Sequence, residues 1–451
     1  MIDNLLREAA SRAILYLESL NSRSIAPVPR SVVDLGQLDR PLPENPLSPE
    51  ETLELLDRLG SPATVASAGG RYFGFVVGGC LPAALAANWL AGAWDQNAMC
   101  NTSSPIAGRL EEIVLGWLIE LLGLPAGCGG AIVTGAAMAN FAALAAARHA
   151  LLRRAGWDVE ADGLFGAPRV TIIVGEGAHP TVLKAIGLLG LGHRQVVRVA
   201  TDDQGRMRAD ALPKSAGPTI VCLQAGHVNT GAFDPAREIC AAAQADGAWV
   251  HVDGAFGLWA AAAPTRAHLV GGVADADSWA TDAHKWLNVP YDSGLAFVRH
   301  RESLRTAMTS PTAYLPDTGG REPWQYTPEA SRRARGVEIW AALMSLGRSG
   351  VASLVERSCR WASHFAEGLR KAGYEILNDV VLNQVLVSFG SNERTRQVIT
   401  GVQAEGTCWC GATIWQGRSA MRISVSSWAT TEKDVERSLA AILDVAARCG
   451  G

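Results

Sequence analysis

The stretch AWVHVDGAFG, residues 248–257, runs apolar and β-branched until it meets a single acid, Asp253, and then breaks at glycine. A strand with apolar residues on both faces has no side to offer water, so it belongs inside a sheet covered on both faces. His251 and Asp253 are two residues apart and share one of those faces. Four further stretches read the same way: VTIIV (170–174), TIVCLQA (219–225), DSWATDA (277–283) and GLAFVRH (294–300). The helical patterns PTVLKAIGLLG (180–190) and PAREICAAAQADG (235–247) stand between several of them. Buried strands alternating with helices predict an α/β domain around a mainly parallel central sheet. GLAFVRH follows its predecessor too closely for a helical crossover and is expected to pair antiparallel.

The rest of the chain frames this centre. Its 451 residues are 48% hydrophobic and 19% charged, enough to fill a large core spread over two or three domains. A formal net charge of −4 with no basic tract argues against nucleic acid or an anionic membrane as partner. The opening MIDNLLREAASRAILYLESL is an amphipathic helix with acids, neither a secretory signal nor a transit peptide. No apolar run approaches the ~20 residues of a spanning helix. Nine cysteines lack framework spacing, and Cys408 and Cys410 form CxC, so free thiols in a reducing, cytoplasmic setting are expected. Residues 1–60 read as an N-terminal helical segment with a Pro-rich connector at 23–48, after which Ser48 opens a helix. Residues 61–335 form the large α/β domain, whose polar end, 305–335, reads as a long functional loop. Residues 336–451 form a smaller α+β domain, its last helix opening where Thr431 and Asp434 have capping-box spacing.

Several residues suit chemistry. Asp253, ending its strand, falls at the carboxyl edge of the sheet, where ligands bind in open α/β folds, or else caps the following turn. Lys285, in ATDAHKWLNVPYDSG (280–294), comes one strand-to-strand unit later, so amine and carboxylate share a pocket if the two strands are neighbours. A lysine in a site of low polarity loses its charge easily and forms Schiff bases; the alternative is one whose amine reaches solvent. Thr134, Gly135, Ala136 and Ala137 join a short apolar strand to an Ala-rich helix, an arrangement that suits phosphate or simply close packing. His179, after VTIIV, reaches the same sheet edge or caps the helix behind it. GEGAHP (175–180) lacks the third glycine of a dinucleotide fingerprint. His251, Asp253 and His284 lack recognisable ligand spacing, so no metal is expected.

An anion cradle, a buried acid, an imidazole and a reactive amine together suit pyridoxal 5′-phosphate. The order TGAAMAN, EGAHPTVLKA, QAGHVNTGAFDP, HVDGAFG and TDAHKW resembles the group II pyridoxal-phosphate decarboxylases, which include the aromatic amino acid, glutamate, histidine and tyrosine decarboxylases. The resemblance extends from about Tyr72 through the C-terminal helix. It implies pyridoxal-phosphate fold type I, like aspartate aminotransferase, in which Lys285 carries the cofactor and Asp253 pairs with the pyridine nitrogen. It also implies that His179 stacks over the ring, Ala255 closes the other face, and Ala136 and Ala137 hold the phosphate, with His284 nearby at the cofactor. His227 falls where relatives commonly have threonine or serine. Tyr314, on the 305–335 loop, would reprotonate the substrate Cα. Tyr72, Phe73 and Thr102 would line the substrate; Tyr72 and Phe73 are equally readable as core aromatics, and Trp94 and Asn97 fall in the same category. Arg109 stands where relatives carry an acid; Arg332 and Arg333 match a family arginine pair or form a solvated surface pair. The implied activity is decarboxylation of an L-amino acid, aromatic favoured, to the amine and carbon dioxide in a homodimer with sites at the interface. Other activities of the scaffold are an oxidative aldehyde synthase, an aldol-type lyase and an aminotransferase.

Overall fold

The computed structural model describes residues 2–310 and 320–450. Twelve strands, numbered in chain order, occur among them. They are β1 (Tyr72–Phe73), β2 (Gly129–Val133), β3 (Thr171–Gly175), β4 (Val197–Val199), β5 (Thr219–Gln224) and β6 (Trp249–Asp253). The others are β7 (Ser278–Asp282), β8 (Gly294–Val298), β9 (Glu375–Ile376), β10 (Gln384–Ser388), β11 (Trp409–Trp415) and β12 (Arg418–Ser424). The chain packs into two units. One gathers Met1–Val77, His364–Leu377 and Leu386–Gly451; the other holds Gly78–Ser363 and Asn378–Val385.

The second unit contains a seven-stranded sheet in the order β2-β8-β7-β6-β5-β3-β4. All pairs from β7 to β4 are parallel, and β8 runs antiparallel between β7 and β2. Every residue of β6 is buried, as its apolar run requires. β6 lies directly beside β7, with Asp253 level with Ala280. The Ala-rich helix Ala136–Arg154 packs its buried alanines against Ala280, Ala296 and Ile172. Small side chains there let helix and sheet backbones approach closely, and an apolar core forms between them. Glycine is needed where β8 begins: a Cβ on Gly294 would stand 2.3 Å from the Gly135 carbonyl carbon.

The first unit contains most of a five-stranded sheet, β1-β11-β12-β10-β9. Ser48 with Glu51, and Thr431 with Asp434, form the two capping boxes expected at their helix starts. A helical span runs Gly336–Lys371 and is interrupted at Gly347, whose φ of 58° only glycine adopts without strain. Two elements lack a clear sequence signature. β11 (WCGATIW) mixes exposed and buried positions without strict alternation, and the helix Asn392–Glu405 is polar apart from a narrow stripe, with Ser391 as its cap. The expected polar loop is also more structured than its composition implies. Arg301–Met308 is helical, and Glu322, Arg332 and Arg335 are buried. No helix among the described residues is long and apolar enough to cross a membrane.

Candidate functional site

The carboxyl ends of β6 and β7 carry one acid each, Asp253 and Asp282, both buried. A one-turn helix, Ala283–Trp286, follows β7 and holds Lys285. The chain has only five lysines, and the other four, Lys184, Lys214, Lys371 and Lys433, are all exposed. Lys285 keeps 21% of its side-chain surface and its Nζ lies 2.9 Å from Asp282 Oδ2. The inward amine therefore has a counter-ion three residues before it. Asp282 Oδ1 also accepts the Ala136 N–H at 2.6 Å and lies 3.6 Å from His284 Nε2. Sequence reasoning passed over Asp282, although its signal was the one that revealed Asp253: an acid ending a buried strand.

Asp253 is 6% exposed, and burial pushes its carboxyl above the ordinary range; the charges of His179 and Lys285 pull it back and Asp282 pushes it further up. Its Oδ1 accepts the Ala255 N–H at 3.2 Å and its Oδ2 accepts an Asn140 side-chain hydrogen at 3.4 Å. His179 caps the helix Pro180–Leu188, its Nδ1 accepting the Thr181 N–H at 3.3 Å. Capping and service to the site are compatible, because the cap fixes the ring while Asp253 feels its charge. His227 is buried, and its Nδ1 accepts the N–H groups of Asn229 and Thr230 at 3.2 and 3.5 Å. Two donors at Nδ1 select the tautomer with hydrogen on Nε2, so the ring presents a donor rather than a base. That Nε2 would stand 2.7 Å from a Cβ on Gly177, at the mouth of β3. His284 Nδ1 accepts the Ser293 N–H at 3.0 Å, and burial lowers the pKa of its imidazole against the opposing charge of Asp282.

The other sequence candidates have contacts of their own. Tyr72 stacks on Trp409 at 5.1 Å and Phe73 meets Phe365 edge-on at 5.0 Å, both within the first unit. Thr102 is exposed, and Tyr314 lies outside the described residues. Trp94 is exposed; Asn97 Oδ1 accepts the N–H groups of Met99 and Arg332, each at 3.1 Å. Arg109 points outward to Glu112 at 2.9 Å. The buried acid of that helix is Glu111, which binds Arg332 at 2.6 Å and Arg321 at 2.9 Å. Arg332 is thus not a solvated surface arginine; it also donates to the Ile132 carbonyl at 3.1 Å, just before the Thr134–Ala137 turn. Glu111→Ala leaves two arginines facing each other without a carboxylate, and is expected to destabilise the protein by about 3–5 kcal/mol. Denaturant midpoints check this; a change below about 1 kcal/mol contradicts it.

A phosphorylated pyridine aldehyde makes three demands, and these residues fit each. The phosphate needs backbone donors: the start of the helix Ala136–Arg154 already directs the Ala136 N–H at an anionic oxygen, that of Asp282. The ring nitrogen needs a charged carboxylate, and the aldehyde needs an amine. Asp253 at the end of β6 and Lys285 on the helix after the neighbouring β7 are of the right kind for these. Among the described residues no group of three His, Cys, Asp or Glu side chains is arranged to hold a metal ion.

Residues 39–390 match the family described as pyridoxal-dependent decarboxylase conserved domain. The chain is 25% identical over 450 residues to an aromatic-L-amino-acid decarboxylase of Bacillus atrophaeus, covering 94% of this chain and 92% of that protein. It is 26% identical over 371 residues to a phenylacetaldehyde synthase of Arabidopsis thaliana, covering 74% and 73%. The solved structure of Oryza sativa TDC with PLP and tryptamine superposes with a TM-score of 0.91 at 23% identity, covering 99% of this chain and 98% of that one; this likeness bears on the fold alone.

Proposed function

Since the chain belongs to the pyridoxal-dependent decarboxylase family, we propose a role for each residue at the carboxyl ends of β6 and β7. Membership makes the protein a pyridoxal-phosphate-dependent carboxy-lyase that releases carbon dioxide from an L-amino acid. An aromatic amino acid is the proposed substrate, supported by the relatives' activities.

When bound, the cofactor supplies an electron sink for the pair left behind as carbon dioxide departs. Lys285 is the amine that anchors its aldehyde. The observation that carries this reading is the 2.9 Å contact between Lys285 and Asp282, at the one lysine the fold withdraws from full exposure. Asp282 holds the amine against the sheet edge and receives its proton when the amine must become nucleophilic. Asp253 would keep the ring nitrogen protonated. His179, held by its cap on Thr181, would stack on the ring, and Ala255 would close against it. Ala136 and Ala137 would receive the phosphate, with His284 nearby. His227 would offer a donor from Nε2.

Tyr314 is proposed to protonate the substrate Cα, with Tyr72, Phe73 and Thr102 lining the substrate; family resemblance is what supports these. A homodimer is proposed as well, supported by the helix Ile2–Ser19, which buries none of its residues and leaves Ile2, Leu6 and Leu15 exposed. A cytoplasmic setting is supported by nine cysteines, none in a disulfide.

The test is product analysis with L-tyrosine, L-tryptophan and other common amino acids, measuring carbon dioxide, amine, aldehyde and hydrogen peroxide. Carbon dioxide with stoichiometric amine is expected. Tyr314→Phe is expected to move products from amine toward aldehyde while cofactor binding persists; undiminished amine output removes Tyr314 from the mechanism. Aldehyde and peroxide from the parent protein overturn simple decarboxylation.

A further inference from the structure

Asn140 is a polar side chain inside the Ala-rich helix Ala136–Arg154, fully buried, as are His251 and Ser278. The three form a chain that ends on Asp253. Trp249 Nε1 meets Ser278 Oγ at 2.9 Å, Ser278 Oγ meets His251 Nδ1 at 2.9 Å, and His251 Nε2 meets Asn140 Oδ1 at 2.8 Å. Asn140 Nδ2 then reaches Asp253 Oδ2 at 3.4 Å.

The chemistry of the end groups fixes the direction of every hydrogen. An ionised carboxylate only accepts, so Asn140 must present its NH2 to Asp253 and its oxygen to His251. His251 Nε2 then carries the hydrogen. Burial pushes the pKa of His251 down to about 3, so the ring is neutral and Nδ1 accepts from the Ser278 hydroxyl. The Trp249 indole, which only donates, gives its hydrogen to Ser278. All donors therefore run toward Asp253, from β6, β7 and the helix that cradles the anion.

We propose that Asn140, His251 and Ser278 are positioning residues that hold Asp253 in its charged form and so keep the cofactor's ring nitrogen protonated. This rests on the assignment of Asp253 to that nitrogen. A hydrogen bond donated to a carboxylate favours its ionised state and opposes the burial that would neutralise it. The other charges at Asp253 are His179 and Lys285, which favour ionisation, and Asp282, which opposes it. The relay also explains HxD at 251–253: His251 serves the acid through Asn140 rather than binding a metal.

The test loads the parent protein, Asn140→Leu and Ser278→Ala with pyridoxal phosphate carrying 15N in the ring, and follows the ring-nitrogen shift by NMR as pH is raised. The parent is expected to stay protonated at the ring nitrogen. Asn140→Leu is expected to retain the cofactor, with the deprotonation midpoint falling by about one to two pH units, as one lost charge-assisted hydrogen bond implies. Ser278→Ala, which removes only the distant hydroxyl, is expected to fall less in the same direction, and it decides the question if Asn140→Leu does not fold. An unchanged midpoint in a loaded Asn140→Leu protein, or in Ser278→Ala where that variant decides, overturns the relay. A parent protein whose ring nitrogen is unprotonated overturns the assignment of Asp253 itself, and the relay with it.

Discussion

Replacing Lys285 with alanine is expected to abolish carbon dioxide release, by about 10^4-fold or more, together with the visible absorbance of a lysine-bound aldehyde cofactor. The chemistry is covalent, and no other described lysine is withdrawn from solvent to take over. Lys285→Arg separates this loss from a structural one. Arginine keeps a positive charge beside Asp282, whose carboxylate is 3% exposed, but cannot take an aldehyde at neutral pH. Lys285→Arg is therefore expected to be as inactive as the alanine variant yet to unfold near the parent's denaturant midpoint. Lys285→Ala should unfold earlier, by about 1–3 kcal/mol. The range usually given for breaking a buried pair is reduced here because the lysine is partly exposed. Residual carbon dioxide release within tenfold of the parent from either variant would remove Lys285 from the chemistry.

Asp253→Asn is expected to lose roughly 10^2–10^4-fold in kcat, corresponding to about 3–5 kcal/mol for an uncompensated buried partner. Asparagine preserves the shape and can still accept the Ala255 N–H, so what is lost is charge together with the acceptor for Asn140. Asp253→Ala should fall into the same range, while Asp253→Glu should recover part of the rate because it restores a carboxylate. Equal losses in Glu and Asn variants would show that shape, not charge, is what matters at this position.

The sheet was legible because its strands are buried on both faces. WVHVD contains so few polar residues that the acid ending it stands out, and the short connection before GLAFV announces its antiparallel pairing. The position of His179 followed from VTIIV in the same way, and both its cap and its proximity to Asp253 are present. Less was legible where partners come from distant sequence. Asp282 sat beside Lys285 in the text, but its second ligand is an N–H of residue 136, a contact across 146 residues. Asn140 looked like one polar residue in an alanine helix, since nothing local reveals that His251 and Asp253 meet it. Arg332 stayed open between a family arginine pair and a surface pair because the acid that holds it, Glu111, lies 221 residues away. In each case the missing information was a non-local hydrogen bond, which composition and periodicity do not encode. β11, too, escaped because its faces are unevenly covered.

The most direct measurement is reduction of the cofactor-loaded protein with borohydride, followed by mass spectrometry of its peptides. The expected result is a phosphopyridoxyl group on the peptide bearing Lys285, and none on those bearing Lys184, Lys214, Lys371 or Lys433. A label on any of those four, or an active, coloured protein in which Lys285 stays unmodified, would contradict it.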